Sequence, residues 1–163
     1  MQKLMIGAAL AWIGAIAAAA IATTGAAQPD TGPPRWAASL VRKQLVILQG
    51  VPAPYGNLQD HSPDAPNKIR QGQVVFDQRC SACHGWTGHG AGPEAFALVP
   101  APADLAWLSG PPQSRSKPYM YWAIAEGGSE FQSEMPAYKD HLSKEEIWAV
   151  IAYVSAGMPR ATP

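Results

Sequence analysis

"FDQRCSACHGWTGHGAGP", residues 76–93, holds both cysteines of the chain and two of its four histidines. Cys80 and Cys83 stand three apart and His84 follows directly. Residues three apart share a face of a helical turn, so both thiols point to one side. A glycine-rich stretch comes next. Upstream, "NKIRQGQVVFDQRC" predicts a helix from about residue 67, with Asn67 as N-cap and Ile69, Val75 and Phe76 on its apolar face.

Downstream, "PADLAWLSG" (102–110) reads as a short helix. "KPYMYWAIAEGG" (117–128) reads as another, with Pro118 in its first turn and the glycines at its end. "SEFQSEMPAYKDHL" reads as a loop. The last helix is marked by a capping box, Ser143 and Glu146, ahead of "IWAVIAYV", and by Gly157 and Pro159 beyond it. No period-two alternation persists and no internal repeat is visible. Residues 67–158 therefore read as one small all-α domain, with 159–163 a tail.

Hydrophobic residues make up 47% of the 163 and charged residues 15%, enough for a packed core. The net charge is zero and no basic stripe is visible, which argues against a nucleic-acid partner. Lys3 precedes an uncharged run, residues 4–22, followed by Gly25 and Ala27 at the spacing of an export cleavage site. Residues 1–27 thus read as a signal peptide or as a retained membrane anchor. Both place the domain outside the cytoplasm, in the periplasm. Residues 28–66 carry seven prolines and one helical pattern, 35–49, with Ala37, Val41, Leu45 and Leu48 on one face. That face needs a cover, from its own domain, a membrane or another subunit, and Arg35, Arg42 and Lys43 give the helix a basic edge suited to an anionic membrane or an acidic partner.

Cys80-Ser81-Ala82-Cys83-His84 has the spacing of c-type haem attachment. Two thiols on one turn reach the two vinyl groups on one porphyrin edge, and His84 can face the iron. A redox dithiol uses the same pair, but in a βαβ context that is missing here. Structural zinc needs four ligands, and there is no second cysteine pair. A disulfide would close only a tiny loop.

On these residues the segment from about 67 to 157 resembles class I cytochromes c of bacterial periplasms. The matching pieces are "CSACHG", the glycine-rich loop ending in "GP", "PADL", the "EMPAY" loop and the closing "LSKEEIWAVIAYV" helix. The resemblance implies a cytochrome c fold around one haem c, covalently held through Cys80 and Cys83. It implies His84 and Met135 as axial ligands, since the family's methionine ligand occupies the loop of Met135. Met120, inside an aromatic helix, reads instead as a core filler. Met158 reads as part of a fraying tail. His89 stands too near His84 to cross the ring; His61 in the linker and His141, which reads as a solvated loop residue, are the alternatives to Met135 as a second imidazole. The resemblance also suggests that the Pro93 carbonyl accepts from His84 Nδ1, and that Gly72 and Phe76 contact the last helix near Tyr153. Trp86, Trp107, Trp122 and Tyr138 are candidates for the pocket wall.

The function implied is one-electron transfer through a His/Met iron, with redox proteins as partners and no substrate chemistry. The alternative keeps the haem in an electron-transfer subunit of a larger membrane or periplasmic oxidoreductase, with residues 35–49 as a contact. A gas sensor or peroxidase would need an open iron. A thiol oxidoreductase would need free, activated thiols.

Overall fold

The computed structural model describes residues 38–109 and 113–160. The export run, the start of the 35–49 helix and the last three residues lie outside the described residues. All described residues belong to one compact unit, Gly32–Pro163. They form five α-helices, with no strand among them. These are α1 (Ala38–Gln49), α2 (Pro66–Arg79), α3 (Ser81–His84), α4 (Gln113–Glu126) and α5 (Lys144–Ser155). The fold is the all-α cytochrome c fold that the sequence implied. No helix of the described residues is long and apolar enough to cross a membrane.

Helix α5 is the centre of the packing. Its capping box forms as read: Ser143 Oγ accepts from Glu146 N at 3.1 Å, and Ser143 N donates to Glu146 Oε2 at 2.8 Å. Two otherwise orphaned donors are thereby satisfied. From Ala149 to Ser155 every residue is buried, so α5 is covered on all sides rather than along one stripe. Tyr153, Phe76, Ile147 and Ile151 are the largest fully buried side chains. Burying each contributes roughly 1.5–3 kcal/mol.

The α2–α5 crossing depends on Gly72. A Cβ there would stand 1.9 Å from the Ala149 carbonyl oxygen and 2.9 Å from Tyr153 Cβ. Without a side chain the two backbones come into contact, and the Phe76 ring packs at a tilt of 57° on Tyr153 with centroids 5.5 Å apart. The expected contact forms, with the Ala149 backbone closer still than Tyr153.

Three boundaries differ from the sequence reading. α2 starts at Pro66, with Ala65 rather than Asn67 as its cap residue. A proline at the first helical position has lost only a donor that would be orphaned anyway. α4 begins at Gln113, so Pro118 lies inside the helix and not in its first turn. The segment read as a helix at 102–110 is a 3-10 turn over Ala106–Ser109.

Helix α1 lies against α4 and the Ser129–Phe131 turn. Val41, Leu45 and Val46 pack on Trp122 and Phe131, as do Tyr55 and Tyr119. Arg42, read as part of a basic edge for a membrane or partner, is buried among them at 8% exposure, whereas Leu48, read as apolar face, is 74% exposed. The buried stripe is 41, 42, 45 and 46, rotated from the one that apolarity alone selects. Trp122 and Phe131 offer aromatic faces to the guanidinium, which lets a cation take part in the buried stripe.

Candidate haem site

The cysteine motif is built at a break between two helices. α2 ends at Arg79, Cys80 leaves helical geometry, and α3 is a single turn closed by Gly85 N donating to Ser81 O at 2.8 Å. His84 N and Cys83 N both donate to Cys80 O, at 2.9 and 3.2 Å. The buried Ser81 donates its hydroxyl to Asp77 O at 2.8 Å and so joins the two helices across the break. The glycine-rich loop folds back onto this turn, with Gly92 N donating to Cys83 O at 3.1 Å and Glu94 N to Ala82 O at 2.9 Å.

His84 Nδ1 lies 3.0 Å from the Ala103 carbonyl oxygen and donates to it. The acceptor is therefore Ala103, not Pro93. The loop around Pro93 is tied to the backbone of Ala82 and Cys83 and stays at that turn. The chain reaches the imidazole only at "PADL", where Leu105 N donates to Gly88 O. The bond fixes the tautomer, leaving Nε2 as the lone-pair nitrogen. Burial pushes His84 below the usual imidazole value, opposed by the Ala103 carbonyl. The ring is thus neutral at pH 7, the form that binds metal.

Met135 is held from both sides. Gly128 N donates to its carbonyl at 2.9 Å, and Met135 N donates to Ser133 Oγ at 3.4 Å. Gly127, with φ of +68°, ends α4 in the left-handed conformation. A Cβ there would stand 2.6 Å from both Met135 O and Ala137 N, so the loop packs directly on the helix end. Three residues on, Tyr138 N donates to Ile124 O at 3.0 Å and Tyr138 Oη to Arg79 O at 2.8 Å. The methionine loop is in this way fastened to the end of α2, beside Cys80.

These pieces converge on one cavity of about 610 Å³, lined by Cys80, Cys83, His84 and Met135 together. Its size falls within the range of cofactor pockets, roughly 300–1,000 Å³. Phe76, Leu105, Leu108, Ile151 and Val154 supply apolar wall, and Tyr138 lines it as expected. Trp122 is buried against Phe131 instead, and Trp86 is 56% exposed beneath the Arg160 guanidinium. The side chain of Trp107 lies outside the described residues. Met120, read as core, is buried and also lines the cavity. Met158, read as a fraying tail, is buried against Gly88. His89 lies 3.2 Å from Asp104 on the surface, and His61 and His141 are exposed; none of the three is in the wall. Arg42, outside the expected site, is in it.

The two sulfurs are not activated. Burial pushes the Cys80 thiol up to about 12, helped by Cys83 and Asp77. Burial and the Glu94 carboxylate, 3.6 Å from Cys83 Sγ, raise Cys83 as well. A redox dithiol needs a depressed pKa on its attacking sulfur. Among the described residues no three His, Cys, Asp or Glu side chains converge as a zinc site would require. Two thiols on one turn, a neutral imidazole and a thioether around an apolar cavity instead fit a porphyrin iron.

Comparison with known proteins agrees. No curated protein matches. Among solved structures, the chain is similar to one from the reducing HAO-like protein complex of Kuenenia stuttgartiensis, with 22% identity and a TM-score of 0.53. That match covers 71% of this chain and 55% of the other, so this chain spans about half the length of its neighbour. Likeness at this identity concerns the fold. Residues 67–154 match the family described as cytochrome c oxidase, cbb3-type, subunit III. The match takes in more than half of the sequence, from the first turn of α2 to the end of α5, and with it the whole cysteine motif and the Met135 loop. The chain therefore belongs to this family of c-type cytochrome domains, whose role is haem-based electron transfer.

Proposed function

We propose that the protein carries one haem c, attached through Cys80 and Cys83 with His84 and Met135 as axial ligands, and transfers single electrons in the periplasm. When bound, the haem supplies a one-electron ferrous/ferric couple. The observation that carries this reading is that Cys80, Cys83, His84 and Met135 line the same cavity. The chain's own part is positional. The Ala103 carbonyl orients the imidazole, and the bonds at Ser133, Gly128 and Tyr138 hold the methionine loop. The apolar wall keeps water from the ligands. A thioether opposite an imidazole favours the ferrous state relative to two imidazoles, which raises the potential.

Export rests on residues 1–27, and the reading of both thiols as thioether donors suits an oxidising compartment. A second reading, an electron-transfer subunit of a larger oxidoreductase, is favoured by the family's description as an oxidase subunit and by the neighbour's place in a complex. Phe96, 92% exposed, and Val99, 47% exposed, flank the wall residue Leu98 in the chain and offer a redox partner apolar surface.

The test is direct. Protein expressed with its leader and with haem-attachment machinery should gain the mass of one haem and keep it through acid-acetone extraction. Met135→His should lower the potential, Met135→Ala should let the ferrous protein bind carbon monoxide, and Met120→Leu should do neither. Two free thiols in a haem-free exported protein would refute attachment. An unchanged spectrum in both Met135 variants would move the ligand elsewhere.

A further inference from the structure

Arg42 is the charged side chain buried among the described residues, at 8% exposure. Its Nη2 donates to the Gly127 carbonyl, and its Cζ lies 4.6 Å from the Trp122 ring centre and 4.7 Å from that of Phe131. Its Nε, also buried, has no hydrogen-bond partner. No carboxylate among the described residues forms an ion pair with it. Burial pulls its pKa down, opposed by neighbouring Tyr119 and by the charge of Glu130, which is exposed. A guanidinium buried with one neutral acceptor and an orphaned N–H is costly, because desolvation of a cation is offset only by a nearby anion and full hydrogen bonding. Yet Arg42 stands in the wall of the cavity, together with Lys43 from the same helix.

Aromatic rings and one carbonyl account for the guanidinium's packing. They do not account for its charge. A haem brings two carboxylates, and these are the anions that the proposed occupant of this cavity would supply. We propose that Arg42 is the counter-ion of a haem carboxylate, so that α1 is a working part of the haem site although it lies outside the family-matched segment 67–154. This inference rests on the haem reading above. It also gives α1 a role other than spacer or external docking edge. The buried charge would bias the couple, since a cation close to the ring favours the ferrous over the ferric state.

The experiment uses the full-length, haem-loaded protein and its variants Arg42→Gln and Arg42→Lys, with Arg70→Gln as comparison. Arg70 is exposed on α2 and stands outside the cavity wall, so its charge is screened. Intact mass first establishes haem attachment in each. Potentiometry should then show the ferrous/ferric equilibrium constant falling about tenfold in Arg42→Gln, about 59 mV for one electron. Arg42→Lys should stay within about threefold of the wild type, and Arg70→Gln within about twofold. Infrared titration of the wild type gives an independent reading, because a carboxylate paired with buried Arg42 should protonate below the ordinary carboxylate range.

An Arg42→Gln protein that keeps its haem and its potential would overturn the proposal. So would a wild type whose two haem carboxylates both titrate in the ordinary range, and that measurement decides the matter should Arg42→Gln fail to mature. A wild type without haem would remove the haem reading itself, whereas intact haem with an indifferent Arg42 would remove only this inference.

Discussion

Replacing Gly72 by alanine tests the central packing of the fold, because two opposing effects can be weighed. In an exposed helix interior, Gly→Ala stabilises by about 1 kcal/mol through backbone entropy. At Gly72 the new Cβ would stand 1.9 Å from the Ala149 carbonyl oxygen, where ordinary contact begins at 3.4 Å. The obstacle is backbone in the buried stretch of α5, so no side chain can swing aside. α2 and α5 would have to separate, and a gap of even 0.5–1 Å forfeits about a quarter to a half of each dispersion contact. Val75, Phe76, Ala149 and Tyr153, all under 8% exposed, would share that loss. Overpacking of this kind costs about 3 kcal/mol at the upper end of its usual range. Net of the propensity gain, Gly72→Ala should destabilise by about 2 kcal/mol, using both magnitudes. At about 4 °C per kcal/mol for a domain of this size, Tm should fall by about 8 °C. The assay is thermal unfolding of the haem-loaded protein followed by far-ultraviolet circular dichroism. Gln71→Ala, exposed on the same helix, is the control and should be neutral or slightly stabilising. A Gly72→Ala variant that melts at or above the wild-type temperature would refute the close crossing.

Two further outcomes follow from bonds away from the α2–α5 contact. Asp60 is partly desolvated, which raises its pKa, but bonds from Lys68 and Ser62 outweigh that and hold it below the usual carboxylate value. Its contribution is complete above the unfolded-state pKa, near 3.9, and is lost as pH falls through the lower folded-state value. Asp60→Asn should therefore lower Tm at pH 7, by a charged hydrogen bond's worth of about 1.5–3 kcal/mol, and the gap to wild type should close as pH falls below about 3.9; a pH-independent gap would show that the charge is not what matters. Tyr138→Phe removes the bond to Arg79 O at 2.8 Å that fastens the Met135 loop to α2. It should cost about 1 kcal/mol and raise carbon monoxide binding by the ferrous protein, and unchanged binding would mean that the loop is held without it.

Much of this architecture is written in short sequence spans because the physics there is local. The capping box of Ser143 and Glu146 closes within one turn, and the two cysteines and His84 share one turn whatever surrounds them. The all-α class, the motif and the closing helix are legible for that reason. Contacts between distant segments take shape only when the chain has packed. Ala103 lies nineteen residues from the imidazole it orients, and its carbonyl carries no side-chain signature that could single it out. Met120 and Met135 are equally apolar as letters, and only the packing of α4 and the 128–138 loop brings both to the cavity wall. Arg42 shows the difference most sharply. On a helical wheel a charge belongs to the solvent side, and so the apolar face was drawn through Leu48. The rings of Trp122 and Phe131 and the carbonyl of Gly127, some eighty residues away in the chain, make a place for a cation that no local pattern can register.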